Sequence, residues 1–269
     1  MAIRLIALDL DDTLLTPNLT ISPQTEQTLR RAMDQGVQVV IATGRMLPSA
    51  LPYARQLGLT TPVILCQGAV VADPVTGRTL RHMPVPVDRA KAILDELQKM
   101  GVYCQFYQGE DYYFSKFGVH SELYRVLARH AGKEVGYPLS DAVTMPPDKL
   151  LLIDEPERLP GIKAHLAEDL CRDMTLAESK PYYLEINHAQ ANKGAALRFV
   201  AESLGVAQQE VMAIGDSTND IPMIRWAGLG GCMGSGRQAA KDAADFVTED
   251  NAHDGVARAV RRYLWGEES

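Results

Sequence analysis

A short apolar run near the start of the chain ends in a cluster of carboxylates. Residues 5–8 read Leu-Ile-Ala-Leu, and Asp9, Asp11 and Asp12 follow. An unbroken apolar run of this length is typical of a parallel strand that is buried on both faces of a sheet. Ligands bind at the carboxyl ends of the strands in open parallel sheets. We therefore expect these carboxylates to lie at the mouth of a ligand site.

The spacing of Asp9 and Asp11 favours a metal ion. On an extended chain, side chains two residues apart lie on the same face. Each carboxylate then raises the cost of ionising the other unless a cation lies between them. A divalent ion such as Mg²⁺ takes oxygen ligands, usually a few carboxylates together with substrate phosphate. A surface turn is the alternative interpretation, because Asp and Thr also favour turns and helix caps.

Two later apolar runs also end in polar groups. Residues 37–42 lead into Thr43-Gly44-Arg45, which offers a hydroxyl, an unobstructed backbone N–H and a cation, all suited to a phosphate. The alternative is a strand-to-helix turn that Thr43 caps. Residues 211–214 lead into Gly215-Asp216-Ser217-Thr218-Asn219-Asp220, a second acidic cluster. Its alternative roles are helix caps and surface charges.

The order of predicted elements divides the chain into two parts. Strands alternate with helices at both ends of the chain, which predicts an α/β fold with a Rossmann-like parallel sheet. The proline-rich residues 83–87 cannot continue a central strand and read as a linker. Adjacent strands without intervening helices follow, which indicates an inserted α+β unit. We assign residues 1–83 and 188–269 to the core and 84–187 to the insert.

Composition excludes several classes of protein. The 269 residues are 46% hydrophobic, enough for a sizeable core. The net charge of -7 argues against nucleic acid or an anionic membrane as partner. The four cysteines are scattered without a C-x-x-C pair, no run could span a bilayer, and the start lacks a signal-peptide layout. These features predict a cytoplasmic protein.

Four signals occur in a fixed order: D-L-D-D-T, T-G-R, Lys193 at the start of a predicted helix, and G-D-x-x-N-D. Together they resemble the haloacid-dehalogenase-like superfamily of aspartate-nucleophile phosphatases. The Cof-type branch, which carries a large α+β (type IIB) cap after the third core strand, is the closest match. The resemblance covers essentially the whole chain and implies a catalytic core with a specificity cap.

The resemblance implies roles for the acidic residues. Asp9 would be the nucleophile that forms an aspartyl-phosphate, and Asp11 would protonate the leaving group and then activate water. Asp11 must therefore be protonated when substrate binds. Mg²⁺ would be held by the Asp9 carboxylate, the Asp11 backbone carbonyl and Asp216. Ser217 would contact the metal through water, and Asp220 would lie beside it.

The resemblance also implies groups that hold the phosphate oxygens. They are the backbone N–H of Leu10 and the residues Thr43, Gly44, Lys193 and Asn219. Taken by itself, a lysine at a helix start such as Lys193 is more often exposed.

Three positions leave questions open. Arg45 either contacts substrate or pairs with an acidic neighbour. Asp12 stands where the family usually has Gly, and Gln67 stands where it usually has Asn. Several polar or aromatic residues of the insert either pack or face the substrate; they are Tyr103, Tyr107, Tyr112, Tyr113, Tyr182, Glu185 and His188.

The leading hypothesis is a Mg²⁺-dependent phosphatase that acts on a small phosphorylated metabolite, such as a sugar phosphate or a phosphorylated cofactor. A phosphomutase of the same fold and a non-catalytic phosphometabolite-binding protein are the alternatives. We expect no nucleic-acid or membrane partner, and a monomer or small homo-oligomer.

Overall fold

The computed structural model describes residues 2–128 and 130–267, without the side chain of Leu127. Its strands, in chain order, are β1 (Leu5–Leu8), β2 (Gln38–Ile41), β3 (Val63–Leu65), β4 (Val70–Ala72), β5 (Thr79–His82), β6 (Tyr103–Gln108), β7 (Asp111–Phe114), β8 (Lys133–Glu134), β9 (Lys149–Ile153), β10 (Met174–Lys180), β11 (Tyr183–His188), β12 (Val211–Gly215), β13 (Leu229–Cys232) and β14 (Phe246–Val247).

The first α-helix begins where the sequence supplies a cap. The Ser22 side chain accepts the Thr25 N–H at the start of the first helix, and Pro23 occupies its first turn. In chain order the helices are α1 (Pro23–Asp34), α2 (Leu47–Leu57), α3 (Val87–Lys99), α4 (Val119–Ala128), α5 (Leu159–Glu168), α6 (Lys193–Ser203), α7 (Ile221–Trp226), α8 (Gln238–Lys241) and α9 (Gly255–Trp265).

The core sheet is parallel, with the strand order β14-β13-β12-β1-β2. Leu5 of β1 lies opposite Val211 of β12 and Gln38 of β2. A bridge between Ala42 and Ile64 continues this sheet towards β3. The predicted α/β fold with a parallel core sheet is confirmed. The three strands that precede the polar clusters are neighbours, so their carboxyl ends meet at one place.

Helices cover both faces of the core sheet because β1 is apolar on both. Ile6 and Leu8 pack in a cluster that includes Leu29 of α1. Leu5 and Ala7 point the other way, into a cluster built around α6 and α7. Burial on both faces explains why β1 shows no alternation of apolar and polar residues.

A second sheet, the cap sheet, has the order β10-β11-β9-β6-β7-β8. Its pairs are antiparallel apart from β7 with β8. One cluster of buried side chains, which runs from Val85 to Ile186 along the chain, packs α3 and α5 against this sheet. The strands β3, β4 and β5 form a small antiparallel sheet, in which β4 and β5 pair.

Two local features depend on tertiary contacts. Helix α8 ends at Lys241, because the chain then turns so that the Asp245 N–H can donate to the Gly230 carbonyl and start β14. The two-residue strand β8 was not predicted, since Lys133 and Glu134 are both exposed and carry no apolar signal.

Candidate active site

Residues from both large sheets line one cavity of about 100 Å³ at the carboxyl ends of the core strands. Asp9 follows β1, Arg45 lies beyond the end of β2, and Asp216 follows β12. Lys180 of β10 and Tyr183 of β11 line the cavity from the cap sheet. Residues that are far apart in the chain meet here because β1 lies between β2 and β12.

A buried lysine holds Asp9. Lys193 is the first residue of α6, and its Nζ lies 2.5 Å from Asp9 Oδ1 and 2.5 Å from Asp220 Oδ1. Asn192 caps this helix by accepting the Ala195 N–H, which sets the point from which Lys193 reaches inward. Lys193 is fully buried, so the alternative of an exposed helix-start lysine is excluded.

Negative charge exceeds positive charge in this cluster. Burial raises the pKa of Asp9 well above its ordinary value; Lys193 opposes this shift, and the nearby Asp220 and Asp216 reinforce it. Burial likewise raises the pKa of Asp216 to about 7, with the charge of Asp220 as the next cause. A further cation beside these groups would favour their charged forms.

The donors in this cluster fit a divalent cation. Asp9, Asp216 and Asp220 each offer a carboxylate oxygen, and these atoms lie within 4.8 Å of one another. The Oγ atom of Ser217, which lines the same cavity, is buried without a hydrogen-bond partner among the described residues. Oxygen donors of this kind are those that Mg²⁺ prefers. The carboxylate of Asp11, by contrast, is not in this group.

Asp220 also holds the loop that carries Asp216. Its Oδ2 accepts the backbone N–H groups of Asp216 and Ser217, each at 3.0 Å, while its Oδ1 accepts from Lys193. A Cβ at Gly215 would lie 2.4 Å from the Asp220 Cβ, so this close packing requires glycine. Both oxygens of Asp220 are therefore engaged in hydrogen bonds within the protein.

Asp11 forms an ion pair with Arg45. Nε and Nη2 of Arg45 donate to the two carboxylate oxygens at 2.9 and 2.6 Å. Burial tends to raise the pKa of Asp11, but the hydrogen bonds and charge of Arg45 outweigh it, and the pKa lies below its ordinary value. With Arg45 bound, the lowered pKa of Asp11 favours its charged form, and the expectation that Asp11 is protonated when substrate binds stays a prediction. Of the two alternatives for Arg45, the structure shows the ion pair, and contact with substrate stays a prediction.

Backbone groups at the strand ends are available to an anion. The Gly44 N–H, on the cavity wall, and the Leu10 N–H donate to no protein acceptor within residues 2–128 and 130–267. The Thr43 Oγ1 accepts the Arg45 N–H at 3.1 Å, which leaves the hydroxyl proton free. Leu10, Thr43 and Lys193 are fully buried and lie behind the cavity wall, whereas Gly44 and Asn219 form part of it.

The amide of Asn219 bonds Gln67. Its Nδ2 donates to Gln67 Oε1 at 3.0 Å, and its Oδ1 is buried with no partner in the described part of the chain. The Nδ2 atom carries a second hydrogen, so the donation of this amide to a phosphate stays a prediction.

Sequence reasoning missed Lys149, which ties the cap sheet to the core. Its Nζ donates to Glu185 Oε2 at 2.7 Å and to the Gly44 carbonyl at 2.8 Å. Glu185 in turn accepts from Gln67 Nε2 at 2.9 Å. The only signal was a charged residue at the head of the apolar run 149–153, which gives no indication of the direction in which the side chain points.

The backbone conformation of Asp12 is one that glycine adopts easily. Its φ is +61°, in the left-handed region that favours glycine and that Asp tolerates better than most residues. Its exposed carboxylate lies 3.4 Å from Lys180 Nζ of the cap sheet. The structure therefore explains the family preference for Gly at this position and places the extra charge at the rim.

Comparison with known proteins decides the family. A family model described as haloacid dehalogenase-like hydrolase matches residues 6–260. The chain belongs to the haloacid dehalogenase-like hydrolases. The Bacillus subtilis phosphatase YwpJ is 33% identical, and the alignment covers 97% of this chain and 100% of that protein. The Bacillus subtilis 5-amino-6-(5-phospho-D-ribitylamino)uracil phosphatase YcsE is 31% identical, with 97% and 96% covered.

A solved structure is similar to this chain over almost its whole length. A haloacid dehalogenase-like hydrolase from Bacteroides thetaiotaomicron is 27% identical, with a TM-score of 0.87, 97% of this chain and 99% of that chain covered. The resemblance to the Cof-type branch and the assignment as a phosphatase are confirmed. Among the described residues, no helix has the length and apolar character to cross a membrane.

Proposed function

We propose that this phosphatase uses a divalent metal, Mg²⁺, to hydrolyse the phosphate monoester of a small metabolite through an aspartyl-phosphate on Asp9. The observation that carries the proposal is the buried cluster in which Asp9 shares Lys193 with Asp220 beside Asp216. Lys193 engages Asp9 Oδ1, which leaves the other oxygen for attack on phosphorus. Mg²⁺ on the Asp9 and Asp216 carboxylates would offset the repulsion between Asp9 and the phosphate dianion.

The residues around Asp9 would position the reacting groups in both half-reactions. Attack by an Asp9 oxygen forms a P–O bond as the ester P–O bond breaks, and Asp11 gives a proton to the leaving oxygen. Water then attacks phosphorus, Asp11 takes its proton, and the carboxylate of Asp9 is regenerated. The N–H groups of Leu10 and Gly44, with the Thr43 hydroxyl and Lys193, would stabilise the phosphoryl oxygens.

Arg45 controls when Asp11 can act. While it binds both oxygens of Asp11, the carboxyl group stays charged. The Nη1 atom of Arg45 is buried and has no partner among the residues described, so this guanidinium has donors left for an incoming anion. A shift of Arg45 towards the substrate phosphate would let Asp11 take up the proton that the first half-reaction requires.

The substrate class follows from the site and the insert. The core residues would contact only the phosphoryl group of a substrate, so we assign specificity to residues 84–187 as a cap. Lys180 and Tyr183, whose buried hydroxyl lacks a partner in the described chain, would face the remainder of the substrate. The name of YcsE states a substrate with a phosphorylated ribityl chain. A sugar phosphate or a phosphorylated cofactor is the class we propose, bound without nucleic acid or membrane.

The test is phosphate release from a panel of phosphorylated sugars and cofactors, in Mg²⁺ and in EDTA. We expect release in Mg²⁺ only, and a loss of about 10⁴-fold or more in the Asp9→Asn protein, because the nucleophile is gone while the side-chain volume is kept. Metal-dependent release by Asp9→Asn at the wild-type rate would contradict the nucleophile assignment. No release from any ester, with bisphosphate-primed isomerisation, would point to the phosphomutase instead.

A further inference from the structure

The loop that follows β2, residues 43–45, is called here the phosphate loop, and the core holds it at both ends. The Thr43 carbonyl accepts the Gln67 N–H at 3.1 Å, and the Arg45 carbonyl accepts the Cys66 N–H at 3.0 Å. Both donors have a left-handed backbone, with φ of +49° at Cys66 and +59° at Gln67. Unfavourable conformations of this kind collect at functional sites. The position of the phosphate loop is therefore closely controlled.

The middle carbonyl of the phosphate loop is held by the cap sheet. Lys149 Nζ donates to the Gly44 carbonyl at 2.8 Å. Gly44 has to be glycine, because a Cβ there would lie 2.5 Å from Gln67 Nε2. Glycine loses more conformational freedom on folding than any other residue. The bond from Lys149 thus restrains the most flexible residue of the loop, which is also the one that forms part of the cavity wall.

Lys149 is itself fixed by its surroundings. It is 2% exposed, and its Nζ lies 2.7 Å from Glu185 Oε2 and 4.5 Å from the centre of the Tyr107 ring. Although burial opposes ionisation, the charge of Lys149 and its hydrogen bond keep the pKa of Glu185 below its ordinary value. Hydrogen bonds between charged groups are short and strong. The ammonium group therefore has one well-defined position from which to hold a backbone carbonyl.

This contact joins the two parts of the chain, since Lys149 begins β9 of the cap sheet and Gly44 follows β2 of the core. Without it, the phosphate loop would keep the restraints at its ends and lose the one at its centre. We propose that Lys149 is a positioning residue, which fixes Gly44 so that its N–H meets the phosphoryl oxygens. Phosphate binding in the core then depends on the cap sheet. This rests on the proposed function and gives residues 84–187 a second role besides specificity.

Two single variants break the same ion pair and differ in what they leave at Gly44. Lys149→Met removes the donor to the Gly44 carbonyl, whereas Glu185→Gln keeps Lys149 and an acceptor for it. Both should lower the midpoint of urea unfolding, because each leaves one buried partner without its counterpart. A merely structural role for Lys149 therefore predicts equal losses of function in the two proteins.

A double variant, Lys149→Met with Glu185→Met, removes the ion pair altogether. Apolar side chains of similar volume often replace a buried ion pair without loss of stability, so this protein serves should either single variant fail to fold. Its net charge equals that of the wild type. Weaker phosphate binding by the double variant would therefore not result from a change in net charge.

The first measurement is calorimetric binding of orthophosphate in Mg²⁺. We expect the dissociation constant to rise about tenfold in Lys149→Met and in the double variant, and less than about twofold in Glu185→Gln. Lys163→Met is the matched control, because Lys163 also lies in the cap but pairs with Glu178 at the surface, at 2.8 Å. It should bind orthophosphate as the wild type does. Equal weakening in both single variants, or wild-type binding by the double variant, would overturn the inference.

The second measurement is kcat/KM for two esters with different leaving groups, glycerol 3-phosphate and phenyl phosphate. Lys149→Met should lower both values by the same factor, because the phosphate loop contacts only the group that the two esters share. A loss confined to one ester would show that Lys149 contacts the leaving group, and would overturn the positioning role.

The carbonyl carbon of Gly44 reports the hydrogen bond directly. Protein labelled with carbonyl-¹³C glycine and ¹⁵N arginine gives one correlation for each Gly-Arg peptide bond, at 44–45, 77–78 and 236–237. The Gly44 signal is the one that Arg45→Lys removes. A carbonyl carbon that accepts a strong hydrogen bond resonates downfield, so this signal should move upfield in Lys149→Met and stay in place in Glu185→Gln. An unmoved signal in Lys149→Met would overturn the inference.

Failure of this inference and failure of the proposed function give different results. No phosphate release from any ester by the wild type, with orthophosphate binding as expected, would contradict the proposed function and leave the positioning role of Lys149 in place. No binding of orthophosphate by the wild type would overturn the positioning role.

Discussion

Two groups of buried charges differ in their balance. In the core, the carboxylates of Asp9, Asp216 and Asp220 lie around a single ammonium, that of Lys193. In the cap sheet, Glu185 and Lys149 form a one-to-one pair. An excess of negative charge can persist in a buried site only if groups protonate or a cation enters, whereas a balanced pair is complete. The difference separates a cluster whose charges favour a cation from a pair that positions other groups.

Replacement of each buried lysine in turn should give the largest difference between the core cluster and the cap ion pair. Lys193→Met and Lys149→Met each leave a carboxylate without its buried partner, so each should lower the free energy of unfolding by about 3–5 kcal/mol in EDTA. Mg²⁺ should restore part of the loss in Lys193→Met, because the core carboxylates can share it, and none in Lys149→Met. Urea unfolding with and without Mg²⁺ measures this, and equal restoration of both proteins would contradict the distinction.

The pH dependence of stability sharpens the same contrast. The pKa of Asp216 is about 7 when folded and about 3.9 when unfolded, so between these values the folded protein binds the extra proton. The contribution of the Asp216 carboxyl group to the free energy of unfolding is fully present below about pH 4 and is lost as the pH rises through about 7. The loss is at most about 1.4 kcal/mol per pH unit. The raised pKa of Asp9 acts in the same direction.

This slope is measured by urea unfolding in EDTA at several pH values between 4.5 and 8. Asp216→Asn is the control, since an amide does not titrate there, and Mg²⁺ should flatten the slope by favouring the charged carboxylates. A wild-type slope that Asp216→Asn leaves unchanged would show that this carboxylate does not carry the excess charge.

The rim pair between Asp12 and Lys180 should matter least. The Asp12 side chain is 61% exposed, and exposed ion pairs stabilise weakly. Asp12→Gly also relieves the left-handed backbone conformation. The free energy of unfolding should change by less than about 1 kcal/mol. A loss of several kcal/mol in the free energy of unfolding, measured by a thermal or urea melt, would contradict this. It would show that the Asp12–Lys180 pair stabilises the fold as strongly as the buried ion pairs.

Much of the architecture could be predicted from local patterns. The apolar runs before Asp9, Thr43 and Gly215 became adjacent parallel strands, because strands without alternation must be buried on both faces. The end of α8 at Lys241 could not be predicted, since helical composition alone does not reveal where the chain must turn into the next strand.

The sequence predicted which residues line the cavity better than it predicted their hydrogen-bond partners. Asp9, Asp11, Gly44, Asp216 and Asn219 do line the cavity. A pair of Arg45 with an acidic neighbour was one of its two alternatives, but the choice of Asp11 and the hydrogen bond of Asn219 to Gln67 could not be foreseen. Each depends on which of several polar neighbours lies within hydrogen-bond distance, and a sequence does not contain that distance.

The sequence by itself determined which chemical groups stand at the strand ends, because short-range apolar runs and turn residues decide where strands stop. Tertiary structure alone decided how those groups are paired. Lys149 meets Glu185 only because β9 and β11 are neighbours in the cap sheet, and Gln67 reaches Glu185 only because that sheet lies against the core. Hydrogen bonds act over about 3 Å, so strand register and sheet packing, rather than residue type, select the partner of each buried charge.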